Sequence, residues 1–213
     1  MCATMAVTPN RFPERRGRND LPQPRHYEHR MKRQFFFDTE FMERDGHVEL
    51  LSIGIVKRYP GQREDYFYGI NEYADESRAN KFVRENVLPS LADEHFDCCP
   101  VGGHLWDLGK RIEGFLQVGT DGPPLEAWAY YADYDWVAFC SMWGEMVSLP
   151  KGMPWFCMDV KQYAEMIGVQ RDDLPAGPVA EHHALVDARW NMDAYDSLVQ
   201  KHDYREAFTN PTP

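Results

Sequence analysis

The sequence predicts an α/β fold, and two observations carry that expectation. Three strand-like runs arrive before any helix, at about residues 34–38, 49–58 and 65–70, and after them helical patterns alternate with short apolar runs. The length of 213 residues and a hydrophobic content of 43% suit one well-buried core and are short for two full domains.

Strand one covers Gln34 to Asp38, where Phe35-Phe36-Phe37 reads as a buried strand. Glu49 to Arg58 and Asp65 to Ile70 follow as strands, joined through a turn at Pro60-Gly61, and complete a three-stranded meander. Glu76 to Ser90 shows helical spacing at Phe82, Val83 and Val87 and ends near Pro89. His104 to Val118 sets Leu105, Leu108, Ile112, Phe115 and Leu116 on one helical face. Leu125 to Tyr131 is the next apolar strand, Asp135 to Gly144 a short helix, Trp155 to Met158 a last strand and Val160 to Ile167 a helix. The final helix, about Ala184 to Val199, buries Leu185, Ala188, Met192, Tyr195 and Val199 and leaves Asp187 one step off that stripe, free to point toward the end of strand one.

Residues 1–30 hold Pro13, Pro22 and Pro24 among several arginines and lack hydrophobic periodicity, so they are expected to form a basic, disordered extension. Met31 directly precedes strand one and reads as the start of a shorter protein. The folded domain is expected over 31–205, with a tail at 206–213. No apolar run approaches the roughly 18 residues that cross a bilayer, and no hydrophobic signal core is visible, which points to a soluble, cytoplasmic protein without a membrane partner. Five cysteines without a Cys-x-x-Cys pair argue against a disulfide framework or a zinc ribbon.

Net charge is −11, and it is unevenly spread. Residues 1–33 carry eight Lys and Arg against three Asp and Glu, leaving fifteen against thirty-one in residues 34–213. So acidic a body excludes binding of long phosphate backbones through a broad basic surface.

Acidic residues recur in three signatures: Asp38-Thr39-Glu40-Phe41 after the phenylalanine run, Tyr131-Ala132-Asp133-Tyr134-Asp135, and His182-His183-Ala184-Leu185-Val186-Asp187. Side chains two apart on a strand share a face, so Asp38 and Glu40 converge. Carboxylates that meet repel one another, whereas hard divalent cations such as Mg²⁺ or Mn²⁺ accept them as ligands. Taken singly, each signature has a plainer reading: a solvated strand end, a helix N-cap at Asp135, a surface histidine.

Together and in this order the signatures resemble the DEDD 3′-5′ exonuclease superfamily in its histidine-containing, DnaQ-like branch (DEDDh), which includes oligoribonuclease and RNase T. Ala129 to Asp135 and His182 to Trp190 look most like actinobacterial RNase T-like 3′-exoribonucleases, over about residues 31–200. The resemblance implies an RNase H-like mixed five-stranded sheet, antiparallel meander then parallel strands, with strand one central and helices on both sides. It also implies two divalent cations, Mg²⁺ or Mn²⁺, with Asp38, Glu40 and Asp187 holding one and Asp38 bridging to a second bound by Asp135. Asp135 is preferred over Asp133 because the family sets an aromatic-Asp pair before a hydrophobic helical run. His182 would be the general base, since it stands five residues before Asp187, and His183 its helix-side neighbour. Phe41 would stack on a terminal nucleotide or fill the core. The expected activity is metal-dependent 3′-5′ exoribonucleolysis of single-stranded RNA 3′ ends or overhangs to 5′-mononucleotides, by a homodimer. A proofreading-type DNA exonuclease and a catalytically silent RNA-binding protein on the same fold are the alternatives.

Overall fold

Phe35, Phe36 and Phe37 are all fully buried, which requires a sheet covered on both faces. The computed structural model describes residues 32–44, 46–180 and 182–209; the expected extension at 1–30 and the start at Met31 lie outside them, as do the last four residues of the expected tail. Among the described residues the sheet has six strands: β1 (Arg33–Arg44), β2 (His47–Arg58), β3 (Asp65–Asn71), β4 (Val101–Gly103), β5 (Leu125–Ala129) and β6 (Cys157–Asp159), in the order β4-β3-β2-β1-β5-β6. The meander β1-β2-β3 is antiparallel, and β5 and β6 add to it in parallel. The mixed α/β architecture is the expected one, with β1 inside the sheet.

Helices cover both faces. Phe35 and Phe37 join Leu108 and Ile112 of α1 (Leu105–Phe115) and Phe139 of α2 (Ala132–Ser141) in one core. Phe36 points the other way, to Val160 of α3 (Val160–Met166) and to Leu185, Met192 and Tyr195 of α4 (Ala184–Thr209). Alternation of side chains along β1 therefore splits the apolar content between two layers. A third cluster seats Met42 and Leu51 under Val83 and Val87.

Several elements differ from the expectation. The sixth strand, β4, is a Val-Gly-Gly triplet too short and too glycine-rich to register as an apolar run; it pairs in parallel with β3 from Gly69↔Val101 onward. The expected helix over 76–90 is instead an isolated 3₁₀ turn at Glu76–Arg78, followed by a wide π turn at Val83–Val87 and a tight 3₁₀ turn at Leu88–Ser90. Pro89 supplies no N–H to an α-helical ladder there, which explains the change of pitch. Phe82, counted in the apolar stripe, is 52% exposed. Helix α2 begins at Ala132, so Asp135 stands inside its first turn and is no N-cap. Helix α4 runs to Thr209, ten residues past the expected end and into the expected tail.

Candidate active site

The site is built where β1 leaves the core. Asp38 and Glu40 follow Phe36 on the side of the sheet covered by α4, while Thr39 follows Phe37 toward α2. Asp38 pairs across the sheet with Gly54 of β2, and Glu40 with Ser52; between Glu40 and Phe41 the register shifts by a bulge. Gly54 lets the third component arrive. A Cβ on Gly54 would lie 2.2 Å from the backbone nitrogen and Cα of Leu185, so only glycine allows the first turn of α4 to rest directly on β2.

That close approach brings Asp187 to β1. Asp38, Glu40 and Asp187 place ligand oxygens within 4.8 Å of one another, all three half-buried. Asp187 also accepts the His182 backbone N–H through Oδ2 at 3.0 Å, closing the turn that starts α4. One helical turn on, the buried Asn191 donates from Nδ2 to the Phe37 carbonyl at 2.9 Å and hydrogen-bonds the Asp38 carboxyl. The helix is thus pinned to β1 beside the acidic cluster.

Asp135 arrives from the opposite layer. It is buried, and its Oδ1 accepts two hydrogen bonds from Thr39, from the backbone N at 2.9 Å and from Oγ1 at 2.5 Å. It lies outside the closest trio yet raises the pKa of both Asp38 and Glu40 through its charge. Asp133, the competing aspartate, is exposed.

Electrostatics at this cluster are unfavourable without a counterion. Burial, followed by the charges of Asp135, Asp187 and Glu40, lifts the Asp38 carboxyl well above the usual carboxylate range, against a hydrogen bond from Asn191. Burial and the charges of Asp187 and Asp135 push Glu40 up to about 8. Burial raises Asp135 to about 6 although the Thr39 hydrogen bonds oppose it. An all-oxygen donor set, crowded and reluctant to ionise alone, fits a hard divalent cation, which removes the repulsion that raises these values.

The two remaining residues singled out from sequence, His182 and Phe41, make their ring contacts elsewhere. His182 has a left-handed backbone with φ of 65°, and its ring meets Phe82 edge-on at 4.9 Å. It does not share the carboxylate trio. Phe41, half-buried past the bulge, packs against the core and stacks at 12° on Tyr134, which is 54% exposed. Sequence reasoning passed over Thr39, Gly54, Asn191 and Tyr134. Gly54, alone inside the apolar run Leu50-Leu51-Ser52-Ile53-Gly54-Ile55, was the available signal for a close backbone approach, and Asn191 lies four residues from Asp187 on the same helical face.

Comparison with known proteins places these features in context. The profile of the 3′-5′ exoribonuclease Rv2179c-like domain matches residues 33–199. Two curated relatives, 3′-5′ exoribonuclease Rv2179c of Mycobacterium tuberculosis strain H37Rv and 3′-5′ exoribonuclease MT2234.1 of strain CDC 1551, are each 40% identical over 176 residues, covering 80% of this chain and 95% of theirs. Among solved structures, exonuclease I superposes with a TM-score of 0.52 at 14% identity, over 84% of this chain and 44% of its own. The zinc-bound form of the Escherichia coli exonuclease I complex with single-stranded DNA gives 0.54 at 14% identity, over 82% of this chain and 42% of its own. The chain thus spans under half of exonuclease I, and that likeness speaks for the fold.

Proposed function

The chain belongs to the Rv2179c-like 3′-5′ exoribonuclease family, and from that premise we propose that it removes nucleotides from the 3′ ends of single-stranded RNA with the help of two divalent cations, Mg²⁺ or Mn²⁺. The observation that carries this reading is the meeting of Asp38, Glu40 and Asp187 within 4.8 Å on a chain 40% identical to a 3′-5′ exoribonuclease.

In this reading Asp38, Glu40 and Asp187 would hold one ion, and Asp38 with Asp135 would serve a second. Bound there, divalent cations supply Lewis-acid stabilisation of the negative charge that builds on phosphoryl and leaving oxygens. Thr39 fixes one oxygen of Asp135 and leaves the other for ligation. His182 accepts the proton of the attacking water, as the histidine of the DEDDh branch would. Phe41 and Tyr134 offer a stacked pair whose exposed ring takes a terminal base without regard to its identity. With thirty-one acidic against fifteen basic residues in 34–213, phosphate contacts are few, which favours a footprint of a few nucleotides and distributive action.

A cytoplasmic setting belongs to the same proposal: Cys98, Cys99, Cys140 and Cys157 are all free thiols, and no helix among the described residues is long and apolar enough to cross a membrane. So does the homodimer implied by the likeness to RNase T and oligoribonuclease. Light scattering on dilution tests it; a monomer that keeps full specific activity rules it out.

The deciding experiment compares 5′-labelled and 3′-labelled RNA oligomers, with matching DNA, in Mg²⁺, Mn²⁺ or EDTA. The 5′-labelled RNA should shorten stepwise while the 3′ label appears at once as mononucleotide, and EDTA should stop both. Internal cleavage, preference for DNA, or no cleavage in either metal would each overturn the reading.

A further inference from the structure

His183, the neighbour of the proposed base, is one of the most buried polar residues of the chain, at 1% exposure. Its Nε2 lies 3.2 Å from the Asp93 carbonyl. A carbonyl oxygen only accepts, so Nε2 carries the proton, and a neutral ring then leaves Nδ1 bare. Burial, assisted by the nearby His95 ring, holds the His183 pKa below the ordinary histidine value and so favours that neutral form. Nδ1 has no hydrogen-bond partner among the described residues. Burying an unpaired ring nitrogen is unfavourable, and an apolar side chain would avoid that cost.

The surroundings point to what the imidazole does there. His183 sits between the Tyr68 ring, 4.4 Å away at 33°, and the His95 ring, 4.4 Å away at 72°. Tyr68 in turn donates its hydroxyl to the Leu91 carbonyl at 2.9 Å. Beside this clamp, the single Ser90 Oγ proton is shared between the Val87 carbonyl at 3.0 Å and the His182 carbonyl at 3.1 Å, and Phe82 meets the His182 ring. His182 itself has a left-handed backbone, which a side-chain-bearing residue adopts only when its neighbours hold it there. Asp187 anchors the other side of the turn through the His182 N–H.

We propose that His183 is a positioning residue: its hydrogen bond to Asp93 locks the segment around 82–95 onto the start of α4 and thereby fixes His182 in its left-handed turn, aimed at the attacking water. This rests on His182 being the general base. On this view the acidic cluster rests on β1, α2 and α4 and the base on the clamp formed by residues 82–95, the two meeting at the Asp187–His182 hydrogen bond.

The test is a double-mutant cycle on RNA hydrolysis with Mn²⁺ saturating. His183→Leu, which fills the site without a donor, should lower kcat by about 10- to 100-fold, the size expected from a displacement near 1 Å, with KM and the Mn²⁺-induced rise in melting temperature unchanged. His183→Gln, whose amide N–H can reach the same carbonyl, should recover most of the loss. Ser90→Ala, a mild change that spares the core, should lower kcat by a few-fold. In a His182→Ala background none of these should reduce kcat further. Equal losses in both backgrounds would overturn the inference and leave the base assignment standing. A His182→Ala enzyme with normal kcat would sink the base assignment and the inference with it. Should His183→Leu fail to fold, wild-type kcat in both His183→Gln and the melt-verified Ser90→Ala overturns the inference through the Ser90 arm.

Discussion

Replacing Glu40 by Gln should stabilise the metal-free protein, although it removes a group proposed to hold metal. A glutamate titrating near 8 in the folded chain against 4.5 ordinarily binds its proton more tightly folded than unfolded. The sign follows: a raised carboxyl pKa weakens the fold as pH rises past 4.5, and the loss is complete by about 8. At about 1.4 kcal/mol per pH unit, that interval sets an upper bound of about 5 kcal/mol. Water entry and local relaxation, with an effective interior dielectric near 20, bring the realised gain to about 1–3 kcal/mol. For a chain of this size each kcal/mol moves the melting midpoint by about 2–4 °C, so Glu40→Gln in EDTA at pH 8 should melt about 2–12 °C above wild type. At pH 5 the advantage should nearly vanish. Adding Mn²⁺ should erase or reverse the difference, since cation at 100 times its dissociation constant contributes about 2.7 kcal/mol to whichever chain binds it. Differential scanning fluorimetry across this matrix suffices. A variant that melts at or below wild type in EDTA at pH 8, or whose advantage is the same at pH 5, refutes the reasoning.

Other perturbations probe the framework of the site. Gly54→Ala places a Cβ 2.2 Å from the α4 backbone and should destabilise by about 2–4 kcal/mol in urea titration while lowering activity far more than a distant mutation of equal cost; wild-type activity would show that α4 yields without moving Asp187. Thr39→Val removes the hydroxyl donor to Asp135 but keeps the backbone one, so the Mn²⁺ concentration for half-maximal activity should rise about tenfold, with Thr39→Ser near wild type. Asp38→Asn should abolish most activity with the fold intact by circular dichroism. Apparent Mn²⁺ affinity, read by calorimetry, should strengthen between pH 6 and 8 as Asp135 and Glu40 give up protons near 6 and 8; a flat profile would mean that these carboxyls take no part in binding.

Much of the site is legible in sequence because its chemistry is local. Three phenylalanines followed by Asp-x-Glu state both that the strand is buried and which two carboxylates emerge together, and Asp187 is marked by lying beside an otherwise regular apolar stripe. The supports were harder to see because they depend on contacts between distant segments. Thr39 matters only because α2 begins three residues earlier than its apolar content indicates, which turns Asp135 from a cap into a buried acceptor. His183 reads as a polar neighbour of the base, yet it is enclosed by Tyr68 and His95 from segments about a hundred residues away. Strand β4 is too short for periodicity, and the apolar spacing at Phe82, Val83 and Val87 points to a regular helix, whereas pairing with β3 and the missing N–H of Pro89 decide the two segments.

The three supports of the acidic cluster lie far apart along the chain. The Thr39–Asp135 hydrogen bond joins residues 96 apart and the Phe37–Asn191 bond residues 154 apart, so a chain that has formed only its N-terminal meander presents two carboxylates and no cluster. Late closure of such loops makes the site one of the last features to assemble and one of the first lost on opening. A cation seated on Asp38, Glu40 and Asp187 therefore has little to grip in the folding transition state, and its effect falls on the reverse rate. It acts as a brake on unfolding, lengthening the lifetime of the native chain against proteases and heat without hastening its formation.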